Sequence, residues 1–179
     1  MAHPFILLGD ALWLDFVNSD RGCVPTPPDL LPDHAAYVRW CEIQCLVPDD
    51  DPAAFPRTRE FRTQLTALAE AMHGGRQPSA GPIAGLNEIL AHSTGSRRLT
   101  RVGGTWRLQF QPSGPLRALE AIAGSAAATL AETRTAVRCC SGETCSLFFT
   151  DDSPTGNRRW CDALACGGQA NVERRRVRG

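Results

Sequence analysis

The chain has no lysine at all: its 19 basic residues are all arginine, in a sequence of 179 residues with 19 acids and a net charge of zero. Genomic base composition produces such a bias as readily as function does, so it assigns no mechanism. Long apolar runs are missing too. None approaches the roughly 20 residues that a membrane span requires, which excludes a helical membrane protein. The opening Met1-Ala2-His3-Pro4 lacks the basic stretch and small-residue cleavage site of a secretory signal, so the chain is expected to be cytoplasmic. Neither G-x-G-x-x-G nor G-x-x-x-x-G-K occurs, which removes the common phosphate-cradling loops. The histidines His3, His34, His73 and His92 are scattered and suggest no Ser/His/Asp arrangement, so no catalytic residue is nominated. Internal repeats and low-complexity tracts are also absent.

Cysteine, by contrast, is abundant, with eight residues. In a chain without an export signal, thiols stay reduced, and paired cysteines favour a metal over a disulfide. Cys140 and Cys145 form one C-x4-C, Cys161 and Cys166 a second, with fifteen residues between the pairs. Two short knuckles joined by a loop that can fold back supply four thiolates to one tetrahedral Zn2+, at Zn–S distances of about 2.3 Å. A segment of about forty residues has too little core to fold alone, so a metal crosslink there has a structural purpose. Incidental cysteines or two disulfides are the alternative. Four thiolates leave no open coordination position, so the zinc is expected to be structural rather than catalytic.

Hydrophobic content of 42% supports a real core for one ordinary domain plus a small appendix. Phe5 to Asn18 reads as a short strand, a turn at Gly9-Asp10, and a second extended or early helical segment from Ala11. Cys23 to Pro32, with four prolines, is a loop. Asp33 caps a helix near His34 to Val47, with Tyr37, Trp40, Cys41 and Cys45 at helical spacing. A longer helix from about Arg57 to His73 carries Phe61, Leu65, Leu68 and Met72 on one stripe and stops at Gly74-Gly75. A third covers about Pro82 to His92. Leu99 to Val102, Gly103-Gly104, and Thr105 to Gln111 form a β-hairpin, with Trp106, Leu108 and Phe110 alternating onto one face. A last helix from about Leu116 to Val137, with Leu116, Leu119, Ala123, Ala126 and Leu130 inward, leads straight into the first knuckle. The expected fold class is therefore α+β: a helix-rich N-terminal domain with a short β-hairpin over residues 1–135, then a small four-cysteine zinc-binding module over 136–179.

The zero net charge hides an asymmetry. From Arg134 onward eight arginines face five acids, about +3, which leaves about −3 for the rest. The tail Arg174, Arg175, Arg176 and Arg178 is either a solvated end or a phosphate contact. Arg158 and Arg159 beside Trp160 have two readings. They can grip a phosphate and stack on a base, or Trp160 packs a small core while an arginine pairs with Asp151 or Asp152.

Residues 139–179 read CCSGETCSLFFTDDSPTGNRRWCDALACGGQANVERRRVRG. This stretch resembles the CGNR zinc-finger family through Cys140, Cys145, Phe149, Asp151, Ser153, Arg158, Arg159, Trp160, Cys161, Cys166 and Gly167. The N-terminal LLGDALWLDFVNS, with Trp40 and the Arg62 helix, resembles the ABATE-type domain that precedes this finger in the same family. The resemblance implies a bacterial transcription regulator, described as stress-induced in some cases, whose finger contacts DNA through Arg158, Arg159, Trp160, Arg174, Arg175 and Arg176. It departs at one place. The family's Asn-Arg after Cys-Gly is Gly168-Gln169 here, and a following basic position is Asn171. Arginine supplies phosphate contacts and bidentate guanine recognition, so the loss weakens the expected DNA contact. A relative that keeps the finger as a structural cap and binds or transforms a small molecule is the competing expectation.

Asp15 and Asn18 lie in an otherwise apolar segment, where a buried carboxylate needs partners. Either they tie the first segment to the long helix through Arg62, or Asp15, Asn18, Trp40 and Arg62 floor a small-molecule pocket lined by Trp13 and Phe16. Cys41 and Cys45 read as small buried hydrophobes rather than a second metal site. Cys139, beside Cys140, is either a spare or a substitute ligand.

Overall fold

A computed structural model describes residues 4–49, 51–132 and 135–168. Among the described residues the fold is built on five α-helices: α1 Leu12–Val17, α2 His34–Ile43, α3 Phe55–His73, α4 Ala80–Leu90 and α5 Ala118–Ala131. Two antiparallel hairpins interrupt and follow them, β1 Gly95–Val102 with β2 Thr105–Pro112, and β3 Ala136–Cys139 with β4 Phe148–Asp151. The helix-rich α+β class read from the sequence is the one observed. No helix among the described residues is long and apolar enough to cross a membrane.

The helices begin and end where their residues dictate. Asp33 is the N-cap of α2 and accepts a hydrogen bond from Ala36 N–H at 2.8 Å. That helix ends at Ile43, earlier than the expected Val47, because Cys45 adopts a left-handed backbone (φ 56°). Cys41 is therefore buried and Cys45 exposed, and the two do not share a helical face. In α3 the stripe Phe61, Leu65 and Leu68 is buried, with Met72 at its edge. It packs against Trp13, Phe16 and Val17 of α1, against Tyr37 and Trp40 of α2, and against Ile122 and Ala126 of α5. Each large side chain removed from water there contributes about 1.5–3 kcal/mol.

Some expectations are corrected. Residues 5–8 are not a strand, whereas the segment from Ala11 takes the helical of its two expected forms, as the short helix α1. The last helix stops at Ala131, and residues 136–139 are a strand rather than its continuation, because Val137 must face the main core from an extended chain. Its inward stripe is Ala118, Ile122, Ala123 and Ala126, while Leu130 is exposed. The β1–β2 hairpin forms about Gly103 and Gly104, both with positive φ as a tight two-residue turn requires. Trp106, Leu108 and Phe110 do share one face, but they are 66, 61 and 49% exposed, so that face does not build the core.

The C-terminal region is not a bead on a string. Val137 and Phe148 belong to the main core, whereas Leu147 and Phe149 join Cys140, Cys161 and Cys166 in a second one that Ile6, Leu8 and Trp160 flank. The two hydrophobic centres are thus back to back across the β3–β4 hairpin.

Candidate metal centre and its surroundings

The loop between β3 and β4 carries the first pair of cysteines, and the segment after β4 brings back the second. Leu147 C=O accepts Cys140 N–H at 2.9 Å, and Arg159 C=O accepts Ser141 N–H at 2.9 Å. The first bond closes the knuckle, and the second lays the strand before Cys161 beside it. Gly142 sits where a Cβ would come to 3.0 Å from Cys145 Cβ and 3.5 Å from Cys166 Sγ, so a side chain there would crowd the Cys145 side of the knuckle. Asp162 Oδ1 accepts the N–H groups of Leu164 and Ala165 at 2.8 and 2.6 Å, which turns the chain back toward Cys166.

Around that frame the thiols converge. Cys145 Sγ is 3.8 Å from Cys161 Sγ, and Cys161 Sγ is 3.6 Å from Cys166 Sγ. Cys140 Sγ accepts Cys161 N–H at 3.4 Å, and its thiol interacts with those of Cys145, Cys161 and Cys166. A fifth thiol comes from outside the motif. Cys23, in the loop after α1, places its Sγ 2.9 Å from Cys145 Sγ and 3.8 Å from Cys166 Sγ. Cys23, Cys145, Cys161 and Cys166 have all their sulfurs within 4.8 Å of one another. Four sulfurs about 2.3 Å from one central ion are about 3.8 Å apart, so this donor set fits a tetrahedral, thiophilic metal such as Zn2+.

The electrostatics of the cluster are those of thiols awaiting a cation. The hydrogen bond from Cys161 pulls Cys145 down to about 5, against the opposing effect of burial, with Cys23 adding a second donor. The other members rise: Cys161 because it donates to Cys145, and Cys23 and Cys166 first because they are withdrawn from water. A divalent ion bound by these thiols would displace their protons, because the thiolate is the ligand form.

Arg158 is committed to the protein's interior architecture. Its guanidinium donates to Trp160 C=O at 2.9 Å and to Cys161 C=O at 2.7 Å, pairs with Asp10, and lies 4.5 Å above the Phe149 ring. Its N–H donates to Asp151 Oδ2 at 3.0 Å. Asp151 is buried and also takes the Ser153 hydroxyl at 2.6 Å and an ion pair with Arg138 at 3.4 Å. Burial raises its carboxyl, but these partners outweigh that and hold it below the usual carboxylate range. Trp160 is half-buried against Gly167 and the second core, and exposed Arg159 lies 5.2 Å over its ring. Of the basic residues expected to reach DNA, Arg159 alone among those described is exposed with a guanidinium that makes no hydrogen bond or ion pair. Arg174, Arg175 and Arg176, and Gln169 of the divergent loop, lie outside the described residues.

The four residues expected to floor a pocket do not converge. Asp15 accepts Gly9 N–H at 2.8 Å and Gln44 Nε2–H at 3.3 Å, and has no contact with Arg62. Arg62 instead makes a bidentate pair with Asp29 at 2.8 and 2.6 Å and donates to the Ser19 hydroxyl at 2.7 Å. Asn18 turns to β4, donating to Phe148 C=O at 2.8 Å and accepting Phe148 N–H at 2.9 Å. Trp40 is fully buried, and its Nε1 has no hydrogen-bond partner. The expected Asp15–Arg62 tie is replaced because α1 presents Asp15 toward Gly9 and Gln44, while Arg62 faces the loop that carries Ser19 and Asp29. A concavity of about 410 Å³ between α3 and α4, lined by Phe61, Gln64, Glu88 and His92 among others, includes none of the four.

Sequence reasoning missed two contributors. Cys23 sits in a proline-rich loop with no second cysteine nearby, so spacing carried no signal for it. Asp10, the partner of Arg158, looked like part of a turn. Two known families match the chain: ABATE, described as "Putative stress-induced transcription regulator", over residues 10–133, and the CGNR zinc finger over residues 136–179. No curated protein matches it.

Proposed function

The chain belongs to the ABATE family and ends in a CGNR zinc finger, and from that premise we propose that it is a cytoplasmic transcription regulator. In this reading the N-terminal domain senses a ligand or partner, and a structural Zn2+ held by Cys140, Cys145, Cys161 and Cys166 shapes a C-terminal surface that contacts DNA. The observation that carries it is the exposed Arg159 stacked over the half-buried Trp160 directly before the second knuckle. A guanidinium over an indole offers a phosphate contact and a stacking plane at one point, and the thiol cluster fixes where that point lies.

A second reading has its own support. Arg158 is consumed by Asp10, Trp160 and Cys161, and Gly168 stands where the family has asparagine. Both features favour a finger that caps the N-terminal domain without binding DNA. One titration separates the readings. Binding to mixed-sequence duplex is measured across salt for the wild type, Arg159→Ala, and the doubly restored Gly168→Asn, Gln169→Arg. DNA binding predicts that Arg159→Ala flattens the log–log salt slope by about one and that the restored variant binds more tightly. No measurable affinity at low salt in either wild type or restored protein establishes the capping role instead.

A further inference from the structure

Cys23 is held in place by more than its own loop. Gly22 C=O accepts Ser146 N–H at 2.9 Å, and the Ser146 hydroxyl bonds to Gly22 N–H at 3.3 Å. On the next residue, Cys23 C=O accepts the Thr144 hydroxyl at 2.9 Å. Arg21 donates to Ser146 C=O at 3.3 Å and lies 4.6 Å above the Phe148 ring. Arg21-Gly22-Cys23 therefore runs along Thr144–Ser146 as a short clamp, and that clamp places the Cys23 thiol against those of Cys145 and Cys166.

The sulfur geometry gives Cys23 a coordinating role. Its Sγ is 3.8 Å from that of Cys166, which matches a tetrahedral edge of about 3.8 Å. It is 2.9 Å from that of Cys145, shorter than that edge, so the two thiols separate slightly when they share an ion. Cys145, Cys161 and Cys166 are common to the set of the two C-x4-C pairs and to the set that includes Cys23. Cys140 and Cys23 are the two contenders for the last vertex.

Resting on the reading of a zinc centre above, we propose that Cys23 is a metal-ligand thiol that can take the fourth coordination position in place of Cys140. The centre then holds five thiols for four positions, and it accepts a thiophilic divalent cation of the Zn2+ class. Because Cys23 follows α1 and Cys140 follows β3, the choice of fourth ligand decides whether the metal bonds only within the finger or crosslinks it to the N-terminal domain. A ligand of the sensing domain that shifts the 21–23 loop would act on the metal directly through this thiol.

Cobalt substitution tests the assignment, since the thiolate-to-cobalt charge-transfer band grows with each coordinated sulfur. Full-length wild type, Cys140→Ser, and Cys23→Ser/Cys140→Ser are titrated with Co2+, with circular dichroism on each. The proposal requires Cys140→Ser to keep the wild-type band, and the double variant to lose about a quarter of it and bind at least tenfold more weakly. A Cys140→Ser protein indistinguishable from the double variant overturns it. Failure of the wild type to bind Co2+ or Zn2+ at all would instead remove the zinc centre itself. A second measurement reads the thiol itself: in zinc-loaded Cys140→Ser protein, maleimide labelling of exposed Cys23 is compared with that of exposed Cys45. Labelling of Cys23 at least tenfold slower supports coordination, and equal rates refute it.

Discussion

Asn18 and Phe148, 130 positions apart, are joined by two hydrogen bonds that a single side-chain amide makes to both backbone groups of one residue. The amide stands in for a neighbouring strand, completing the edge of β4 where the β3–β4 hairpin meets α1. Gly9 extends the same seam by accepting Thr150 N–H at 3.0 Å, and a Cβ at Gly9 would fall 2.7 Å from Leu14 Cβ. This seam docks the finger on the N-terminal domain.

Replacing Asn18 with leucine leaves a buried N–H and a buried C=O without partners. The expected cost is about 2–4 kcal/mol, read as a lower midpoint in urea with an unchanged slope. A change under about 1 kcal/mol would mean the seam is dispensable.

The Arg62–Asp29 pair should show itself as acid sensitivity. Burial pushes the Asp29 carboxyl up, but the hydrogen bonds from Arg62 and from Leu31 N–H outweigh it and hold the group below the usual carboxylate range. A depressed carboxylate contributes stability that is fully present above its unfolded value of about 3.9 and fades as pH falls through the folded value below it. Asp29 is partly solvent-exposed, so Asp29→Asn should cost about 2 kcal/mol at pH 7 rather than the full penalty of a buried pair. That difference should close below about pH 4. A gap that persists at pH 2 would assign the effect to packing.

Asp15 has the opposite sign. Its carboxyl is raised, by burial first and by Asp10 in addition, against the bonds from Gly9 and Gln44. A raised carboxylate costs stability at neutral pH, and that cost vanishes as pH falls through the folded value toward the unfolded one. Asp15→Asn keeps the Gly9 bond and lets Gln44 turn its carbonyl toward the new amide. It should therefore melt within about 1 kcal/mol of wild type at pH 7, and a loss above about 2 kcal/mol would show an ionic partner for Asp15.

The two neighbouring arginines should behave differently. Arg158→Ala strands the carbonyls of Trp160 and Cys161 and should cost about 2–3 kcal/mol, whereas Arg159→Ala removes only an exposed cation–π contact worth under about 1 kcal/mol. Thermal melts of the two variants side by side check this, and equal losses would contradict it.

Local signals were legible in the sequence because they act over a few residues. The Asp33 cap, the Phe61–Leu65–Leu68 stripe, the Gly103-Gly104 turn and the C-x4-C pairs all write their geometry into spacing. The failures share a different cause. Whether residues 136–139 continue α5 or form a strand depends on Phe148 and Asn18, neither of which is local. Asp15, Asn18 and Arg62 are each polar in apolar company, but which partner each takes is decided by residues 6 to 130 positions away. Cys23 reaches the thiol cluster across more than 120 residues and belongs to no motif.

Native mass spectrometry of the full-length chain tests the metal centre most directly. The account predicts one Zn2+ per chain, with the mass lowered by the protons the coordinating thiols release. It also predicts that chelation exposes amides 140–166 to hydrogen exchange while those of α3 stay protected. A chain that carries no metal, yet keeps amides 140–166 as protected as those of α3, would contradict it.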